Sequence, residues 1–225
     1  MRLSQEEARV IGSLIEKQLT TPDQYPLSLN ALLLACNQSS NRDPVVAFDE
    51  RTVDRALAAL KVAGLVGLVH PSHGRSVTRY QQFLEEKLEI SERQAALVAV
   101  LLLRGPQTGG ELRSRSARMC GFDDIAEVDV ELERLSGLPE PLVVRLPRRP
   151  GQKEERWVQL LTDSPTGVLG PPADDVPRGG ETPDLAADVA ELHVEVAELH
   201  VEVAELRDRV AKLCDDFETL RRACS

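Results

Sequence analysis

The sequence predicts a mainly α-helical fold with small β-hairpin wings: two winged-helix domains in tandem, followed by a C-terminal coiled coil. Three observations predict this architecture. Capping boxes mark helix starts in both halves of residues 1–161. Each half carries helical apolar spacing and then two short strand-like runs around a turn. Residues 184–222 carry an unbroken apolar heptad pattern.

We expect winged-helix domain 1 over residues 1–84. A capping box formed by Ser4 and Glu7 predicts the start of its first helix, and the run Thr20-Thr21-Pro22 predicts the end. The remaining signals are caps at Ser28 and Asp49 for two further helices, a stop at Gly64, and strand-like runs over 65–70 and 76–82.

We expect winged-helix domain 2 over residues 85–161, because the same plan returns there as a weak internal repeat. The apolar run Ala95–Leu103 predicts a buried helix, since it is about half of the ~20 residues that a bilayer requires. The other signals are helix caps at Ser91, Thr108 and Asp123, a second helix running to Met119, a stop at Gly137, and strands over 142–146 and 156–161.

Residues 162–183 are rich in Pro and Gly, which predicts a disordered linker with no helix or central strand. The heptads that follow place Val at a positions and Leu at d positions, which favours a parallel two-stranded coiled coil over 184–222. Flanking e and g charges are complementary in a parallel pair. We therefore expect a parallel homodimer whose interface is formed by Val189, Leu192, Val196, Leu199, Val203, Leu206, Val210 and Leu213.

The acidity of the chain is concentrated in its tail. The formal net charge is -10, and residues 162–225 contribute nearly all of it. The two predicted domains are therefore close to neutral, and total charge neither excludes nor supports a DNA contact. The N-terminus has no secretion signal, and the four cysteines lack metal-ligand spacing. We expect a cytoplasmic protein with no membrane contact, no metal and no cofactor.

Two stretches in domain 1 carry a specific pattern: residues 7–12 and the run EKQLTTPDQYPLSLNA over residues 16–31. Together with residues 35–44, 102–108, 110–113 and 143–148, they resemble the bacterial YceH-like family. The resemblance covers roughly residues 2–161 and implies tandem winged-helix domains. It implies little chemistry, because the family has no settled biochemical role.

The sequence contains none of the common catalytic or phosphate-binding motifs, so we expect a protein that binds without catalysing a reaction. Winged helices commonly contact DNA through their third helix and their wing. The basic residues at those places are Arg51 and Arg55 on the first third helix, Arg75 and Arg79 on wing one, and Arg148, Arg149 and Lys153 on wing two.

The third helix of domain 2 has the opposite charge. It carries Asp124, Glu127, Asp129, Glu131 and Glu133 against Arg134 alone. Such a helix repels phosphates, so we do not expect it to read DNA. The sequence favours a dimeric DNA-binding or transcription-regulatory protein that uses its basic wings. The alternative is a protein–protein scaffold of the tandem winged-helix type with no direct DNA contact, which the acidic helix favours.

Overall fold

The computed structural model describes residues 2–69, 77–148 and 154–162. All of these residues belong to one compact unit. The described part is mainly helical and contains two small antiparallel sheets. The predicted combination of helices with small hairpins is therefore confirmed.

The first half has three helices and a three-stranded sheet. Ser4, Ser28 and Asp49 cap the helices as predicted, and each side chain accepts a hydrogen bond from the backbone N–H three residues on. The third strand of the sheet, β1, was not predicted. In chain order the elements are α1 (Gln5–Thr20), a 3₁₀ turn (Pro22–Gln24), β1 (Leu27–Ser28), α2 (Leu29–Cys36), α3 (Glu50–Val62), β2 (Val66–Val69) and β3 (Arg79–Gln82).

The second half begins with a short helix that the sequence analysis did not identify, and then repeats the plan. Its elements are α4 (Leu84–Leu88), α5 (Glu92–Arg104), α6 (Gly109–Ser116), α7 (Ile125–Ser136), β4 (Val143–Leu146) and β5 (Arg156–Gln159). The capping boxes at Ser91 and Thr108 are confirmed. Helix α6 ends at Ser116 rather than Met119, and turns follow over residues 117–119.

The predicted cap at Asp123 was wrong, because Asp124 takes that role. The Asp124 carboxylate accepts from the Glu127 backbone N–H at 2.8 Å. The Glu127 side chain reaches back to the Asp123 N–H at 2.9 Å. Only the second aspartate lies three residues before Glu127, the spacing that a cap requires.

Each half contains hydrogen bonds equivalent to those of the other half, although the two sequences show no visible identity. In each half, the residue before the cap of the second helix lies against the second hairpin strand: Leu27 opposite Tyr80, and Gln107 opposite Trp157. Each second strand ends on a buried glutamine whose side-chain oxygen accepts from the backbone N–H two residues on, at 2.6 Å. These glutamines are Gln82 and Gln159.

One hydrophobic core runs through both halves. The helix α5 is buried on every side over Ala95–Leu103, as the apolar run predicted. The reason is that α1 packs along it from the first half. The two helices approach closely at Gly12, where a Cβ atom would lie 3.0 Å from Leu103 Cγ.

Candidate nucleic-acid interface

The exposed face of α3 presents two arginines at helical spacing. The inner face of the helix is anchored by the buried residues Val53, Ala56, Leu57 and Leu60. Arg51 and Arg55 are exposed on the opposite face, and neither forms an ion pair or hydrogen bond with another described residue. Hydrogen bonds from Thr52 lower the pKa of the capping Asp49 carboxyl, and the two arginines lower it further. Glu50, Asp54 and Lys61 share the surface, so its charge is mixed.

A groove of about 190 Å³ separates α3 from the hairpin of the first half. Asp54 and Lys61 line its helix side, and Leu68 and Tyr80 line its strand side. Burial raises the pKa of the Tyr80 hydroxyl, and the nearby Asp54 carboxylate raises it further.

Arg79 lies beside Tyr80 on β3, and consecutive strand side chains point to opposite faces. Its guanidinium donates to the Pro26 carbonyl at 2.9 Å. The structure therefore directs Arg79 away from the groove and does not bring it together with Arg51 and Arg55.

Arg148 is exposed at the end of the second hairpin and forms no ion pair with another described residue. The other wing candidates, Arg75, Arg149 and Lys153, lie outside the described residues. The same holds for residues 163–183 of the predicted linker, for the coiled-coil heptads and for the dimer interface over 189–213. Thr162, the first residue of that linker, is buried and accepts a hydrogen bond from Gln159 at 2.7 Å. The wings and the dimer interface therefore stay predictions.

Carboxylates of α7 form ion pairs with arginines that the sequence analysis did not identify. Glu127 pairs with Arg93 from α5 at 2.7 Å. Glu131 pairs with Arg134 at 2.7 Å on the same helix. The Arg145 guanidinium, from β4, lies near three carboxylates, those of Asp129, Glu133 and Glu155, at 3.7, 3.2 and 3.2 Å.

Arg145 also stacks over the Trp157 ring, with 4.7 Å between the guanidinium carbon and the ring centroid. Arg134 is the one basic residue that α7 itself carries, as predicted, and the other two arginines come from α5 and β4. The surface remains acidic, but its charges already have partners. Three apolar side chains are exposed on α7 and β4, namely Ile125, Val130 and Val144.

A buried polar cluster joins the loop between α2 and α3 to both halves. The Arg42 side chain has no exposed area, and it donates to both Glu16 oxygens at 3.1 and 2.6 Å. It also donates to the carbonyl of Ala35 at 2.8 Å. The Asp43 backbone N–H donates to Leu103 at the end of α5 at 2.9 Å. The sequence analysis did not identify this cluster, because the partners of Arg42 and Asp43 on α1 and α5 are distant in the chain.

The described residues contain no group of three or more His, Cys, Asp or Glu side chains placed to hold a metal ion. Within this same part of the chain, no helix is long and apolar enough to cross a membrane. A cleft of about 790 Å³ lies where α4 meets the turn before β4. Its walls are mostly apolar, formed by residues such as Leu88, Leu138 and Leu142.

Comparison with known proteins places this chain among closely similar sequences. Residues 3–152 match the family model described as "Protein of unknown function, DUF480". A UPF0502 protein of Geotalea daltonii is 52% identical over 163 residues, which cover 72% of this chain and 74% of that protein. A UPF0502 protein of Solibacter usitatus is 47% identical over 196 residues, which cover 85% of this chain and 93% of that protein.

Proposed function

The chain belongs to the bacterial UPF0502 family, described as DUF480, and from this premise we propose that it is a cytoplasmic, non-enzymatic DNA-binding protein. The protein acts as a dimer of tandem winged-helix chains. It contacts the DNA backbone through α3 of the first half and through the basic wings. The observation that carries the proposal is the pair of exposed arginines on α3, which have no ion-pair partner among the described residues.

The repeated plan of three helices and a hairpin supports the winged-helix assignment. Each half places its third helix, α3 or α7, directly before a two-stranded antiparallel ribbon. In winged-helix proteins this third helix enters the major groove and the ribbon lies beside it. Of the two third helices, α3 is the better suited to DNA.

Contact with phosphates requires exposed cations that are not already neutralised. Arg51 and Arg55 meet that requirement, since each is exposed and has no ion pair with another described residue. Arg145 does not, because three carboxylates surround it. The wing residue Arg148 is likewise exposed and has no ion pair with another described residue.

A dimer would double these contacts. The Val and Leu heptads of the tail support a parallel pair, which presents two copies of α3 and of each wing. A dimer that contacts DNA through both of its chains binds more tightly than a single chain does.

The test is fluorescence anisotropy of the full chain with a random duplex at ~50 mM and ~200 mM salt. We expect binding that falls steeply with salt, because each neutralised phosphate contributes about one unit of slope. Arg51→Gln with Arg55→Gln should lower affinity and flatten the slope by up to two units per chain.

Neutralising Arg148, Arg149 and Lys153 should flatten the slope by up to three units per chain. The matched control is Arg134→Gln, an exposed arginine on α7 that already pairs with Glu131. An absence of duplex binding at ~50 mM salt would overturn the DNA proposal.

The second candidate is a protein scaffold without DNA contact. The exposed apolar residues Ile125, Val130 and Val144, beside carboxylates that already have partners, favour a protein partner on α7 and β4. On this reading, Val130→Asp releases a co-purifying protein, whereas Arg51→Gln with Arg55→Gln does not.

A further inference from the structure

The hairpins of the two halves can be aligned residue by residue. Tyr80 pairs with Leu68 in the first hairpin. Trp157 pairs with Arg145 in the second, and each aromatic residue lies two positions before the buried glutamine that ends its strand. The residue before each aromatic ring is an arginine that donates to a proline carbonyl, at 2.9 Å in the first half and 3.0 Å in the second. Tyr80 is therefore the counterpart of Trp157, and Leu68 is the counterpart of Arg145.

The second half fills the space between its third helix and its hairpin with a guanidinium of its own. The Arg145 guanidinium stacks on the Trp157 ring at 4.7 Å and lies 3.7 Å from the Asp129 carboxylate. The Trp157 indole N–H donates to the same carboxylate at 3.3 Å. Glu133 and Glu155 also pair with the guanidinium, each at 3.2 Å. An aromatic face and carboxylates are thus arranged around one flat cation.

The first half has an equivalent ring and carboxylate but no guanidinium between them. Asp54 is the counterpart of Asp129, because each lies five residues after the cap of its third helix. Leu68 occupies the position of Arg145, and a groove of about 190 Å³ is open between Asp54 and Tyr80. Neither the Asp54 nor the Tyr80 side chain forms a hydrogen bond or ion pair with another described residue.

The groove of the first half holds a cation less strongly than the second half does. The two other acids that pair with Arg145 have no acidic counterpart, because Ala58 and Thr78 occupy their positions. Lys61 also lines the groove, two helical turns from Asp54 and about 10 Å along the helix axis. One exposed carboxylate and one ring bind a cation weakly, so a guanidinium from outside exchanges readily.

We infer that this groove, which we call the α3 groove and define by Asp54, Lys61, Leu68 and Tyr80, binds an arginine side chain of a protein partner. The guanidinium stacks on Tyr80 and pairs with Asp54, and its apolar stem lies on Leu68. The volume of about 190 Å³ suits a single side chain, since pockets for small molecules usually measure roughly 300 to 1,000 Å³. The arginine therefore belongs to a larger molecule. The inference goes beyond the proposed function, because it concerns a protein partner and not DNA.

The experiment follows Tyr80 by fluorine NMR of the full chain after incorporation of fluorotyrosine. The chain has two tyrosines, and Tyr25 serves as the internal reference, since its hydroxyl accepts from the Gln82 N–H at 2.6 Å. The probe is a capped Gly-Arg-Gly tripeptide, and the control probe is capped Gly-Lys-Gly. We expect the arginine peptide to shift the Tyr80 resonance to saturation and to leave Tyr25 in place. The lysine peptide should bind more weakly, because an ammonium does not stack flat on a ring.

Four variants test how the α3 groove holds the peptide. Asp54→Asn should weaken binding of the arginine peptide by about fivefold, since it removes one exposed ion pair. Glu50→Gln is the matched control, because it removes an exposed acid of the same helix that does not line the groove. Lys61→Gln should tighten binding by removing a like charge. Leu68→Arg fills the groove from within, as the second half does, so it should shift the Tyr80 resonance without peptide and abolish the response to it.

The outcomes separate this inference from the proposed function. Arg51→Gln with Arg55→Gln should bind the arginine peptide as the wild type does, so a failure of DNA binding leaves the α3 groove intact. The inference is overturned if the arginine peptide causes no saturable shift of Tyr80, or if Asp54→Asn binds it as the wild type does. Equal responses to the lysine peptide, or equal shifts of Tyr80 and Tyr25, also overturn it. Matching near-ultraviolet circular dichroism of the variants shows that they are folded.

Discussion

Removing the charge partner of Arg42 should destabilise both halves of the compact unit together. The substitution Glu16→Leu leaves a guanidinium with no exposed area and no carboxylate. Breaking a buried ion pair on one side costs about 3 to 5 kcal/mol of unfolding free energy. We expect about 3 kcal/mol, because Arg42 keeps its hydrogen bonds to Ala35, Asn41 and Gln38.

The assay is urea unfolding read by one probe in each half. Trp157 is the single tryptophan and is buried on β5, so its fluorescence reports the second half. Cys36 is buried on α2, so its thiol accessibility reports the first half, once Cys120, Cys214 and Cys224 are replaced by Ser. With a urea slope of about 2 kcal/mol per M, both midpoints should fall by about 1.5 M.

The more stringent part of the prediction is that the urea midpoints reported by the two probes fall together. Because α1 packs along α5, loss of the first half removes a wall from the core of the second. The control Glu50→Leu removes an exposed acid and should stay within about 0.5 kcal/mol of the wild type. A Trp157 midpoint that stays in place while the Cys36 midpoint moves would refute the reasoning, and would show two independently folding domains.

Further changes test the packing, the buried thiol and the tail. Gly12→Val forces α1 away from Leu103, so the free energy of unfolding should fall by about 2 kcal/mol or more, and an unchanged Tm contradicts this. Burial raises the pKa of Cys36 to about 11, and the unfolded thiol loses its proton first. Stability should therefore fall between pH about 9 and about 11, and less so in Cys36→Ala, when urea midpoints are compared. By light scattering at micromolar concentration, the full chain should be a dimer and a chain ending at Leu161 a monomer.

The helix caps could be predicted because each is a contact within four residues. Ser4, Ser28, Asp49, Ser91 and Thr108 all lie three residues before the N–H group that they accept from. The inner face of α3 followed from helical spacing in the same way. The Asp124 cap was missed although its spacing to Glu127 is the same three residues, because the prediction took the first of two neighbouring aspartates.

The candidate interface also combines features that the sequence predicts with features that only the tertiary structure shows. That Arg51 and Arg55 lie on the exposed face of α3 follows from the period of the helix. That they have no ion-pair partner among the described residues, whereas acids of α7 do, depends on how other helices and strands pack. Arg145 is on β4 and Arg93 on α5, so no local pattern predicts their contacts with α7.

The sequence by itself determined the order of the six predicted helices and two hairpins, and five of the six helix caps. These features depend on the spacing of neighbouring residues along one chain segment. Only the tertiary structure decided that α1 packs on α5 and that Arg42 reaches Glu16 across 26 positions. Such contacts depend on how packed elements are oriented, and burial then decides whether a charge is paired, screened by water or left to bind a ligand.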